Sequence, residues 1–166
     1  AVLLKKFCKK NNLDFGIVGC RVHDSELEKF FFSNELGERG WKFISNSNSK
    51  KGIHLTANSK YIVTVDSTLG YECFSRGQRV CFFTIRSKYI GKKYNIYFGW
   101  PKYLDQEGPC WTSNNSPKDF ERLMKSLIYE SDNFWINLRK NLLKDIISFD
   151  EGNKKFKAFL KNNNIV

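Results

Sequence analysis

Proline, histidine and methionine are scarce in this chain: three, two and one among 166 residues. No apolar run approaches the roughly 20 residues that a membrane-spanning helix needs. The opening residues, AVLLKKFCKK, are too short and too rich in lysine to be the apolar region of a signal peptide. A helix starts there at once, without a capping residue or an initiator Met, which reads as a piece of a longer protein. Cys8, Cys20, Cys73, Cys81 and Cys110 make an odd count with no C-x-x-C, and His23 and His54 stand apart. That argues against a zinc site and for a reducing, cytoplasmic compartment. No G-x-G-x-x-G and no Walker lysine loop occur, so dinucleotide and ATP folds lose support. There is no G-x-S-x-G elbow. D-x-D is missing as well; Asp105-Gln106-Glu107 comes nearest and reads as a surface turn. No E-x7-E includes Glu72, which has Thr64 and Val80 at those offsets.

What is present suffices for one domain with a proper core, since 41% of residues are hydrophobic and 16% aromatic. The formal net charge is +11. Much of it sits on helix faces and on the C-terminal lysines 154, 155, 157 and 161, where a solvated surface is the plain reading. An anionic ligand or a peripheral contact with an anionic membrane, at the inner face, would also use it. No zinc finger or RNP-type aromatic motif supports nucleic acid as a partner.

Along the chain, Leu3, Leu4, Phe7 and Cys8 form a one-face stripe that predicts a helix over Val2–Lys10, ended by Asn11-Asn12. Leu13–Cys20 reads as a buried strand. A second helix begins at Asp24 or Ser25, where Ser25 and Glu28 have capping-box spacing. Leu27, Phe30, Phe31 and Asn34 are expected on its inner face, and Gly37 near its end. Trp41–Ser45 is the next strand, and Ile53–Asn58 a short helical turn. Then comes KYIVTVDSTLGYECFSRGQRVCFFTIR, Lys60–Arg86. Tyr61–Val65 and Val80–Ile85 are strand-like, with a polar turn, a helix and a Gly stop between them, which makes a βαβ unit. The long aromatic stretch 87–116 reads as an insertion or flap, with an extra strand at Asn95–Trp100. Its aromatics could stack on a sugar or pack a core. Three helices follow: one capped by Ser116 with Pro117 at its first position, one over Asn133–Ile147, and a basic one over Asn153–Leu160. Alternating strands and helices predict an α/β, Rossmann-like three-layer domain. Its sheet would be mostly parallel, with extra C-terminal helices.

The candidate chemistry gathers at Asp66–Glu72. Open α/β sheets bind ligands where strand carboxyl ends meet helix amino ends. A helix starting here aims unpaired N–H groups and its positive dipole end at the crevice, which suits a phosphate. Ser67 and Thr68 add hydroxyls, Leu69 and Gly70 add backbone, and Gly70 would allow close approach. A plain N-cap is the alternative. Glu72 could accept from ribose hydroxyls or pair with Arg76. Arg21 and Arg86 follow strands at the same edge and could neutralise a diphosphate, or be surface arginines. His54 could touch a base or sugar, or simply cap or pack.

The run V-x-V-D-S-T-L-G-Y-E followed by R-G-Q-R-V, over Tyr61–Phe83, resembles the C-terminal, donor-binding half of GT-B glycosyltransferases. More narrowly it is similar to bacterial surface-carbohydrate (polysaccharide) biosynthesis transferases, which pair such a core with a downstream G-x-x-W-T, here Gly108–Thr112. The likeness runs from about Tyr61 to Trp135. It implies a nucleotide-sugar donor held by Ser67, Thr68 and the backbone of Leu69 and Gly70, with Glu72 on the ribose. It also implies no metal or other cofactor, a glycan or lipid-linked acceptor, and a separate N-terminal domain carrying the catalytic base. A polyol-phosphate polymerase, a nucleotide-sugar epimerase on the same architecture, and a non-catalytic basic binding module are the alternatives. The expectation is a single nucleotide-sugar-binding domain over residues 1–166, inactive in transfer by itself.

Overall fold

The computed structural model describes residues 1–20, 23–46, 52–86, 89, 97–99, 104–147 and 149–165. They divide into two compact units, Ala1–Asn58 and Ser59–Val166.

The first unit runs α1 (Val2–Lys10), β1 (Gly16–Val18), α2 (Ser25–Leu36), β2 (Lys42–Ile44) and α3 (Gly52–Thr56). Asn11 and Asn12 stop α1 as expected: Asn11 Nδ2 donates to the Phe7 carbonyl at 2.8 Å, and Asn12 turns into the left-handed region at φ 52°. β1 and β2 pair in parallel, with Ile17 opposite Phe43. Cys8, Phe15 and Leu36 are buried together, with Leu4, Leu13, Ile17, Phe32 and Trp41 packed around them. The inner face expected for α2 is wrong. Leu27, Phe30 and Phe31 are 67%, 64% and 58% exposed, while Phe32 and Leu36 face the core. Three consecutive phenylalanines fit any rotation of a helix, so the pattern could not choose among them. The capping box is not formed either. Ser25 is buried, its hydroxyl 2.6 Å from that of Ser45, and Glu28 reaches the backbone N–H of Cys20 instead.

The second unit runs β3 (Tyr61–Thr64), α4 (Thr68–Ser75), β4 (Arg79–Phe83), β5 (Glu107–Gly108), β6 (Trp111–Thr112), α5 (Pro117–Tyr129) and α6 (Asp132–Ile146). A 3-10 turn (Glu151–Asn153) then leads into α7 (Lys154–Asn162). The sheet order is β3-β4-β6-β5, with β3, β4 and β6 parallel and β5 antiparallel to β6. The βαβ unit is therefore present. Gly77, at φ 106°, ends α4, and its neighbour Gln78 donates back to Cys73. β5 and β6 went unseen in the sequence. Glu107 lies in β5, not in a surface turn, and the Trp-Thr pair is itself the third parallel strand. A strand two residues long leaves no alternation to read.

β4 is the centre of the layers. Phe82 packs on Tyr71 and Phe74 of α4, while its neighbours turn to α5: Phe83 meets Phe120, and the Cys81 thiol reaches the Leu123 carbonyl at 3.3 Å. Successive residues point to opposite faces, so the sheet is covered on both sides. Trp135 of α6 sets its edge against Phe74 from behind α4. Arg79 locks the far corner. Its guanidinium donates to the Leu127 and Ile128 carbonyls at the end of α5 and pairs with Asp132 at 2.7 Å. This is the Rossmann-like α/β arrangement, with parallel strands dominating the sheets of both units.

Candidate functional site

The site region starts where β3 runs out at Thr64. Asp66 takes the left-handed conformation, φ 51°, which a short polar side chain tolerates. Ser67 returns to extended backbone, and α4 begins at Thr68. The α5 and α6 helices also begin after a serine. There the hydroxyls of Ser116 and Ser131 accept from the N–H of Asp119 and Phe134, both at 3.1 Å. α7 is closed by Asp150, whose two oxygens accept from Lys155 and Phe156 at 3.0 Å. Ser67 makes no such bond, and the first turn of α4 holds no acid. Gly70 turns its N–H to the Ser67 carbonyl at 3.0 Å. The positive end of α4 therefore stands without a side-chain cap, with Ser67 and Thr68 exposed beside it.

Two charged residues frame this turn. Both Asp66 carboxylate oxygens are buried with no hydrogen bond of good geometry. Burial raises the pKa of this acid, against the opposing pull of the Arg86 backbone N–H and guanidinium. Arg86, exposed just beyond β4, is thereby placed beside the turn. Glu72 is exposed one turn into α4 and makes no ion pair with Arg76 among the described residues. Arg76 lies over the Phe149 ring instead, 4.8 Å from its centroid.

The remaining expected site residues are Gly70, His54 and Arg21. Gly70 is buried, and a Cβ there would lie 2.4 Å from Thr64 Cγ2 and 3.2 Å from Phe82. Its missing side chain serves the contact of α4 with the sheet, not the approach of a ligand. His54 is exposed on α3, in the first unit. Arg21 lies outside the described residues, as do Tyr94, Tyr103 and half of the strand expected at 95–100, Trp100 included; its described residues, 97–99, lie in a loop and turn and not in a strand.

Phe98 and Trp111 of the aromatic stretch are core. Phe98 is 1% exposed and stacks between Tyr71 and Trp111, at 5.7 and 4.5 Å between ring centroids. Packing also accounts for the G-x-x-W-T spacing. A Cβ at Gly108 would fall 2.1 Å from the Trp111 ring, whose Nε1 donates to the Asp105 carbonyl at 2.8 Å. Arg122 holds the hairpin through the Gly108 carbonyl at 2.7 Å. Sequence reasoning overlooked Asp66 as a buried acid. The signal available was an Asp ending one parallel strand and an Arg just after its neighbour.

A cavity of about 80 Å³ lies among Gly99, Leu104, Asn141, Leu142, Asp145 and Ile146. It is too small for a nucleotide and includes none of the turn residues. No described helix is long and apolar enough to cross a membrane.

Fold and turn together define an α/β protein of Rossmann-like architecture with an open helix amino terminus at a strand's carboxyl edge. Residues 2–164 match the family described as "putative O-antigen biosynthesis protein", and the chain belongs to that family. No curated protein and no solved structure matches the chain.

Proposed function

We propose that this chain is the donor-binding part of a GT-B-type glycosyltransferase that moves a sugar from a nucleotide donor during O-antigen or related surface-polysaccharide assembly. The observation that carries the reading is the uncapped first turn of α4, in a unit whose other described α-helices are capped by a serine or an aspartate. The exposed hydroxyls of Ser67 and Thr68 and the N–H groups of Thr68 and Leu69 hold the donor phosphates. They stabilise the negative charge that builds on the leaving phosphate as the glycosidic bond breaks. Arg86 neutralises part of that charge, and the Glu72 carboxylate accepts from the ribose hydroxyls. The acceptor site and the catalytic base come from a separate N-terminal domain, at the inner face of the membrane. Family membership supports the pathway, and the turn geometry supports the ligand class.

The test is a thermal-shift panel of UDP, GDP, CMP and their sugar conjugates on this chain. A true ligand at 100 times its Kd stabilises the fold by about 2.7 kcal/mol. Thr68→Ala and Glu72→Ala should abolish that shift and leave the unliganded melting temperature unchanged. If no nucleotide shifts the wild-type chain, the reading fails. Robust sugar transfer by this chain alone would refute the need for a second domain.

A further inference from the structure

The C-terminal helix α7 buries none of its residues. Its nine residues, KKFKAFLKN, would be marginal as a free helix. Asp150 holds its first turn through the two backbone N–H bonds described above, and those bonds keep the Asp150 carboxyl below its usual pKa. The helix is thus secured at its start by a cap, while every side chain but Leu160 is exposed. Phe156 and Phe159 are each 57% exposed, Leu160 is half-buried, and Phe149 and Ile165 on either side of the helix are exposed too.

At 100° per residue, Phe156, Phe159 and Leu160 share an arc of about 100°, and Lys154, Lys157 and Lys161 gather on the opposite side. Lys155 flanks the apolar arc, and residues 154–166 contain no acid.

We infer that α7 is a membrane-surface helix that lays its phenylalanine face into the headgroup boundary of an anionic bilayer. Two features favour lipid over a protein groove. A groove-binding helix repeats its anchors at i, i+3, i+4 and i+7, and the i+7 position from Phe156 is Asn163. The apolar patch is also only one turn deep and backed by lysines, whose long stems let the ammonium groups rise to the phosphates. The geometry matches an insertion of a few ångströms supported by charge. The inference uses no residue of the α4 turn and stands apart from the donor site.

Co-sedimentation of the whole chain with vesicles tests it, comparing pure phosphatidylcholine with the same lipid carrying about one-third phosphatidylglycerol. Binding should appear on the anionic vesicles alone. It should fall about tenfold or more in Phe156→Ser/Phe159→Ser, and about fivefold for each α7 lysine changed to Gln. Hydrogen exchange should slow at residues 154–162 when anionic vesicles are added, which reads the helix directly. Circular dichroism and melting of the variants should match wild type, because every altered side chain is exposed. Absence of binding to anionic vesicles overturns the inference, as does binding that survives the double Phe substitution. A concentration-dependent dimer abolished by that substitution would instead assign the face to a second copy of the chain.

Discussion

Two strand-to-helix turns, one in each unit, begin alike and are finished differently. β1 leads through Gly19 and Cys20 towards α2, and β3 leads through Asp66 and Ser67 into α4. Each helix carries a glutamate early in its second turn. Glu28, the fourth residue of α2, folds back so that its carboxylate accepts from the Cys20 N–H at 3.0 and 3.2 Å. Glu72, the fifth residue of α4, is about 100° further round the helix and stays in solvent. The first turn is occupied by an anion the chain itself supplies. In the second, Glu72 does not fold back, and the chain's own acid, Asp66, is buried beside Arg86 and caps none of the α4 N–H groups, which leaves those groups open to an anion from outside.

The glycines of these turns should break the comparison most sharply. Gly70→Ala puts a methyl 2.4 Å from Thr64 Cγ2, on a buried, β-branched strand residue that has nowhere to go. The expected cost is about 1–3 kcal/mol in chemical denaturation, despite the better helix propensity of Ala. Thr64→Ser removes that Cγ2 and should recover part of the loss in a double-mutant cycle. Gly19→Ala meets the far ends of two side chains instead, Phe43 at 2.8 Å and Glu28 at 3.0 Å. These can swing aside, so its cost should stay under about 1 kcal/mol. Equal losses at the two glycines would show that α4 packs on β3 no more tightly than the first turn is built.

The glutamates sharpen it further. Glu28→Ala should cost about 1 kcal/mol and speed amide exchange at Cys20, because a charged acceptor is lost. Glu72→Ala should leave stability within about 0.5 kcal/mol, as an exposed change does where no side-chain partner stands among the described residues. A stability loss at Glu72 matching that at Glu28 would mean that its carboxylate already serves the fold and is not free for a ribose.

Much of this architecture could be read in advance, for a physical reason. Short, largely apolar runs such as Tyr61–Val65 and Val80–Ile85 are bounded by charged residues, and Gly77 marks its helix end by a conformation other residues avoid. The rotation of α2 was hidden by Phe30-Phe31-Phe32, and β6 by its length. The turn was legible as a helix start, but its openness was not. Ser67, Ser116 and Ser131 are the same residue at the same kind of position, yet only the last two close their helices. Whether a serine caps depends on its rotamer and on the loop's entry angle, and neither is written in residue type.

The smallest expected effect separates the turns by pH. Asp66 differs from Glu28 of the first turn: its buried oxygens lack a good hydrogen bond, and burial raises its pKa despite Arg86. A raised folded-state pKa means that the native chain binds this proton more tightly than the unfolded chain does. The resulting stability is fully present below the unfolded value, about 3.9, and is lost as pH rises through the folded value. Asp66→Asn keeps the shape, tolerates the left-handed backbone and cannot ionise. The variant should therefore gain on wild type as pH climbs above 4, and keep that gain at neutrality, in paired denaturation curves. Acids held low elsewhere, such as Asp132 beside Arg79, lose stability in the opposite direction as pH falls, and the subtraction removes them. If the gap closes with rising pH, the Arg86 charge outweighs burial at Asp66. Arg86 would then be committed to Asp66 and unable to serve a phosphate.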